Sequence, residues 1–163
     1  MKRILALAFA FLAFSCASLA AAPDAPGTKL VTIQAGGFPG VGAVVTGSIG
    51  MANLGSSHLY GGLQFGVDSR KGSTAGRMDL SLAPRFTLGL NLAKALEVHV
   101  GGLAGICAQQ LSFAGSTDDT KLGFCYGGFG GFRFRLSDTL GLVAEGCYSP
   151  QLPYATLGLS FRF

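Results

Sequence analysis

Between Met78 and Leu92, apolar and polar residues alternate without a break. Met78, Leu80, Leu82, Pro84, Phe86, Leu88, Leu90 and Leu92 hold the even positions, and Asp79, Ser81, Ala83, Arg85, Thr87, Gly89 and Asn91 the odd ones. A period of two places the two sets on opposite faces of a β-strand. The same period recurs in 29–36, 41–52, 58–68, 95–107, 121–136, 139–148 and 154–163, which with 76–91 predicts eight strands. Strands in soluble sheets average about five or six residues, whereas a membrane-spanning strand needs about 9–11. Glycine, proline and short polar clusters separate the segments. They predict connections at 37–40, 69–75, 108–120 and 149–153 at one end, of which only the second and third are long, and turns at 53–57, 92–94 and 137–138 at the other.

Composition decides which face meets what. Charged residues are only 12% of the chain and glycines number 26, so the chain cannot cover a soluble surface with charge in the usual proportion. The less apolar parity class carries Asp79, Arg85, Glu97, His99, Arg133, Arg135, Glu145 and Arg162. Roughly one charge per strand is too sparse for a solvated exterior but suits a narrow interior, where charges must pair. The prediction is an all-β, eight-stranded antiparallel transmembrane up-and-down β-barrel with a polar interior and both termini periplasmic. Arg85, Glu97, Arg133, Arg135, Glu145 and Arg162 are expected to form a lumen charge cluster that plugs the barrel. The alternative is a gate whose pairs exchange partners. In 121–136, Phe124 and Tyr126 lie near one end of the apolar face and Phe132 and Phe134 near the other, with Gly128 and Gly130 between them. Such paired aromatic bands match interfacial girdles.

The first residues form a basic Met-Lys-Arg, an eleven-residue apolar run and a small-residue tail, the layout of a secretory signal peptide. We expect a signal peptide over 1–20, a short segment at 21–28 and the barrel over 29–163. Lipid attachment at Cys16 is the rival reading, weakened by bulky Phe14 ahead of it. Loss of Lys2 and Arg3 would leave 10 basic against 8 acidic residues, a net charge of +2, which is no nucleic-acid footprint.

Little chemistry is suggested. Cys107, Cys125 and Cys147 share an inward parity as small wall-lining residues, with a Cys107–Cys125 disulfide as the alternative. Two histidines 41 residues apart make no metal site. His99 is placed low in the barrel and His58 at a strand start in a periplasmic turn, neither with a nucleophile at useful spacing, so neither an enzyme nor a cofactor is expected. Arg70-Lys71-Gly72-Ser73-Thr74 lacks the glycine spacing of a phosphate loop and reads as an exposed basic tip. Arg70, Lys71, Asp118 and Asp119 are the candidate surface-loop contacts, with lipopolysaccharide or a host surface as partner.

The chain closes on Thr-Leu-Gly-Leu-Ser-Phe-Arg-Phe. Thr156, Gly158, Phe161 and Phe163 resemble the C-terminal assembly signal of bacterial outer-membrane barrels. With the leader and eight strands, residues 29–163 resemble the small eight-stranded barrels of the OmpA, OmpW, OmpX and opacity-protein group. That resemblance implies a bacterial outer-membrane location, outer-membrane lipid and the barrel assembly machinery as partners, and a structural or passive-transport role, for instance for a hydrophobic solute. Two alternatives stand beside it: a surface adhesin working through the outer loops, and a soluble periplasmic barrel.

Overall fold

The computed structural model describes residues 25–37, 40–71, 75–113 and 119–163. The predicted leader 1–20, Cys16 and residues 21–24 lie outside the described residues. Eight strands form: β1 Lys29–Gly37, β2 Val41–Leu54, β3 Ser57–Lys71, β4 Ala75–Asn91, β5 Leu96–Phe113, β6 Asp119–Arg135, β7 Leu140–Tyr148 and β8 Ala155–Arg162. Each pairs antiparallel with its neighbour in sequence, and β1 pairs with β8, so the sheet closes into a barrel. All eight predicted strands are present, in the predicted up-and-down order.

The register fixes the barrel's shape. One hydrogen-bonded row runs Thr120–Gln110–Met78–Ser69–Val41–Gly37–Ala155–Gly146–Gly130. It leaves β6 at 120 and returns to it at 130, a stagger of 130 − 120 = 10 residues. A stagger of this kind requires the strands to tilt by about 35–45°. One β-bulge, between Gly50 and Ala52, interrupts β2. The β2–β3 turn is tight, with Gly55 at φ 76°, a left-handed conformation that glycine adopts without strain.

The apolar set faces outward. Ile33, Val45, Ile49, Leu63, Phe65, Leu82, Phe86, Leu88, Ile106, Leu122, Phe124, Phe132, Leu142 and Leu157 are all exposed, while the polar set is buried. This is a soluble protein's distribution turned inside out.

Three predicted connections need correction. The one predicted at 108–120 is mostly strand: Gln109 pairs with Lys121, Gln110 with Thr120 and Leu111 with Asp119. The one predicted at 69–75 likewise narrows to 72–74, because Arg70 pairs with Arg77 and Lys71 with Gly76. Backbone pairing continues there although the outward residues have turned polar. The third, 149–153, is not an exposed loop. Ser149, Leu152 and Pro153 are buried, with Leu152 only 1% exposed. The segment folds into the barrel mouth, where Leu152 joins Val44, Ala83, Leu103, Cys107, Cys125 and Phe129 in an apolar layer. A glycine makes room for it: a Cβ on Gly66 would lie 2.5 Å from Leu152 Cδ2. Arginines hold the segment from above, Arg70 donating to Leu152 O at 3.5 Å and Arg77 to Pro150 O at 3.4 Å.

Wall height varies. β4, β5 and β6 have 17, 18 and 17 residues, whereas β7, β8 and β1 have 9, 8 and 9. The β6–β7 ladder stops at Gly128↔Tyr148, and β6 continues past it to Asp119.

Leu152→Ala is expected to lower stability by about 2–5 kcal/mol through lost burial and a residual cavity. Lys71→Ala, at an exposed strand end, is expected to stay within about 0.5 kcal/mol. Urea unfolding in lipid vesicles measures both.

Candidate functional site

Below the apolar layer, toward the termini, the lumen is charged. Parity explains the placement: inward positions on β4 through β7 carry Arg85, Glu97, His99, Arg133, Arg135 and Glu145, all buried. Arg85 makes a two-pronged contact with Glu145, its Nη1 at 3.1 Å from Oε2 and its Nη2 paired with Oε1. Nη1 also donates to Gln64 at 2.9 Å, and the guanidinium lies 3.6 Å from the centroid of Phe129. Two planar donor groups facing a carboxylate make the strongest common form of ion pair.

The second centre is Glu97, which is fully buried. Arg133 Nη1 donates to both of its oxygens at 3.0 and 2.9 Å, and Arg135 Nη2 lies 3.5 Å from Oε2. Arg135 also donates to Asn91 at 3.2 Å. His99 stands between the two centres. Its Nε2 is 2.9 Å from Glu145 Oε1, and its Nδ1 is 3.7 Å from Glu97 Oε1. An ionised carboxylate can only accept, so the Nε2 nitrogen facing Glu145 carries the proton. The structure therefore brings together five of the six predicted cluster residues. Arg162 is placed at the edge of that group. It is half-buried at the terminal mouth, where it lines a small cavity with Arg133, Arg135 and Asp138.

Sequence reasoning missed two members of the lumen, His58 and Asp68, and placed Asp79 on the inward face without assigning it to the charge cluster. His58, expected at a strand start in a turn, is the second residue of β3 and is buried, with Nε2 3.2 Å from Glu97 Oε2 but not aligned for a hydrogen bond. Its even-numbered position gives it the same parity as Tyr60 and Gln64, a signal available in the sequence. Asp68 and Asp79 form a second charged layer near the loop-side mouth. Both are fully buried and directly opposite one another in the β3–β4 register. Each has its own arginine, Asp68 with Arg70 at 2.6 Å and Asp79 with Arg77 at 2.7 Å.

The predicted surface contacts fare differently. Arg70 is not a loop-tip residue but a half-buried strand residue in that ion pair, while Lys71 is exposed at the end of β3. Asp118 lies outside the described residues, and Asp119 begins β6. The thiols of Cys107, Cys125 and Cys147 are free, so the alternative disulfide is not formed. Thr156 is buried in the lumen wall, and Phe163 is exposed beside the lipid-side row.

From the loop side to the terminal side, the lumen thus has an acid–arginine layer, an apolar layer and the Arg85–Glu145–His99–Glu97–Arg133 network. The cavities left beside the network measure about 10 Å³ each, about the minimum for one water.

A closed ring of eight tilted antiparallel strands, apolar outside and ion-paired inside, is the architecture of the small transmembrane β-barrels. Solved structures agree on the fold. Ail, the attachment invasion locus protein of Yersinia pestis, matches with a TM-score of 0.53 and 11% identity, over 83% of this chain and 95% of that one. The N-terminal β-barrel domain of Pseudomonas aeruginosa OprF matches with 0.51 and 11%, over 86% and 100%. A de novo designed transmembrane β-barrel matches with 0.50 and 15%, over 87% and 100%. No protein-family model and no curated protein sequence matches the chain.

Glu97→Ala is expected to cost about 3–5 kcal/mol, because Arg133 is left buried without its partner. Arg85→Met combined with Glu145→Leu is expected to cost less than either single change. A double-mutant cycle of urea unfolding free energies measures the coupling.

Proposed function

We propose that the chain is an integral barrel of the bacterial outer membrane, exported by a cleaved signal peptide, with both termini periplasmic and a lumen closed to solutes. Its role in this reading is structural, and no catalytic step is assigned. The observation that carries the reading is the lumen's filling. Two salt-bridged layers enclose an apolar one, and the gaps beside the inner network have room for a single water. Passive passage through the lumen would require both Leu152 and the Arg85–Glu145 pair to move. The outward apolar band favours a membrane location over a soluble periplasmic one. Thr156, Gly158, Phe161 and Phe163 would serve as the signal read by the assembly machinery, with Phe163 exposed as such a signal requires.

A second reading, a surface-binding barrel, draws on the basic rim. Lys71 and Lys121 are exposed, and Arg70 and Arg77 flank them at the same mouth. Ail, one of the similar structures, has been solved with the heparin analogue sucrose octasulfate.

In planar bilayers, purified wild-type protein is expected to give no conductance steps. Stable single-channel openings would overturn the closed-lumen reading. Binding of sucrose octasulfate that is lost in Lys71→Ala/Lys121→Ala would support the second reading.

A further inference from the structure

Three small cavities follow one another along the lumen. The lowest opens at the terminal mouth, beside Ser160 and the exposed turn residues Ser137 and Asp138. The middle one is ringed by hydroxyls, among them Thr32, Thr46, Ser48 and Thr87. The highest lies under the inward-folded segment 149–153, with Leu152 above it and Gln34 and Thr156 in its wall. Each measures about 10 Å³, about the least that holds one water. Neighbouring cavities share wall residues: Leu30 and Arg133 border the lower two, and Arg85 and Glu145 the upper two. Lumen side chains, not strands, therefore separate each from the next. Buried polar atoms without a partner lie on the same path. Gln34 is 1% exposed, and neither its Nε2 nor its Oε1 has a hydrogen bond among the described residues. Thr46 Oγ1 and Arg133 Nε are in the same condition, and both residues line the middle cavity. A buried donor or acceptor left so bears the full desolvation cost of the group. Above the highest cavity the pattern ends. Val44, Phe129 and Leu152 border it there and belong to the apolar layer, none of whose residues carries a side-chain nitrogen or oxygen.

We infer that the terminal half of the lumen is a one-sided water inlet: each of the three cavities binds an ordered water, the file enters at the terminal mouth, and Leu152 seals it from the loop side. The inference rests on the closed-lumen reading and adds the course of water within it. The walls select the occupant. Gln34 needs a partner that accepts from Nε2 and one that donates to Oε1, and a water does both. Every cavity has a guanidinium and a carboxylate in its wall: Arg85 and Glu145 in the upper two, Arg133 and Asp138 in the lowest. An ion of either sign would be opposed by one of them, whereas a water bridges both at little entropic cost. The apolar layer offers a water no partner, so the file stops beneath it. The Arg85–Glu145–His99 network is thereby wetted from one compartment only.

Isotope-labelled protein folded in lipid nanodiscs tests the file by water–protein cross-relaxation in NMR. Wild type is expected to show water cross-peaks at the Gln34 side-chain amide and at Arg133 Nε–H, and none at the Ala83 and Leu103 methyls of the apolar layer. Loss of both polar cross-peaks, or their extension to the two methyls, would overturn the file. Transfer into D2O then reads its direction through deuteration of the Gln34 amide. Ser160 is buried in the wall of the lowest cavity and takes no part in the ion-paired network. Ser160→Val narrows that cavity and is expected to slow the deuteration, whereas Leu152→Ser is expected to speed it. Equal rates in wild type and Ser160→Val would overturn entry from the terminal mouth. Equal rates in wild type and Leu152→Ser would overturn the seal. A heat-modifiable band shows whether each variant is folded, and the wild-type cross-peaks decide the file even where one is not. Conductance separates this inference from the reading beneath it. Channel openings sink the closed lumen, whereas a silent barrel without the polar cross-peaks sinks the file alone.

Discussion

A sheet in hydrocarbon cannot leave its backbone N–H and C=O groups without partners, since no water is there to take them. Closing the ring meets that requirement, and most of the remaining structure follows from how the ring closes. With eight strands and a stagger of ten residues, the interior is just wide enough for side chains. Each inward position must then hold something that packs against the far wall. Inward glycines leave room for large groups, as Leu152 sits over Gly66 and the Phe129 ring lies against Gly101. The abundance of glycine is the counterpart of a narrow bore lined by arginine and aromatic residues.

Narrowness also dictates the electrostatics. A lone charge in such a lumen would be costly, so each buried carboxylate has a guanidinium of its own: Asp68 with Arg70, Asp79 with Arg77, Glu145 with Arg85, and Glu97 with Arg133. The pairing lets Asp68 and Asp79 face each other across a strand boundary, an arrangement that like charges disfavour. Two further guanidiniums, Arg135 and Arg162, lie toward the terminal mouth, in a cavity they share with Asp138.

Much of this was legible in the residues. Alternation alone located the strands and assigned faces, because a half-apolar strand has only one way to sit in a barrel wall. The same parity placed Arg85, Glu97, Arg133, Arg135 and Glu145 inside. Alternation fell silent where both faces turned polar. From Ala108 to Ser112 and at Asp119 and Thr120 the contrast between faces fades, and the strands were read as loop although their backbones stay paired. His58 and Asp68 sit at segment ends, where a period of two has too few repeats to speak. Leu152 lies between two prolines in a short connection, a setting that signals a turn. Its burial depends on the space above Gly66, which only the closed ring defines.

The uneven wall has a consequence for whatever surrounds it. Strands of eight or nine residues, tilted by about 35–45°, reach only about 20–23 Å, short of the roughly 25 Å apolar band of such barrels. β7, β8 and β1 form that short side, and β4 to β6 overtop it. In a bilayer the protein would impose a thickness gradient around its own circumference. Lipids would be compressed against β7–β8–β1 and relaxed against β4–β6. Such mismatch costs fractions of a kcal/mol per Å, enough to orient the barrel relative to its neighbours and to make its thin side the favoured place for local membrane deformation.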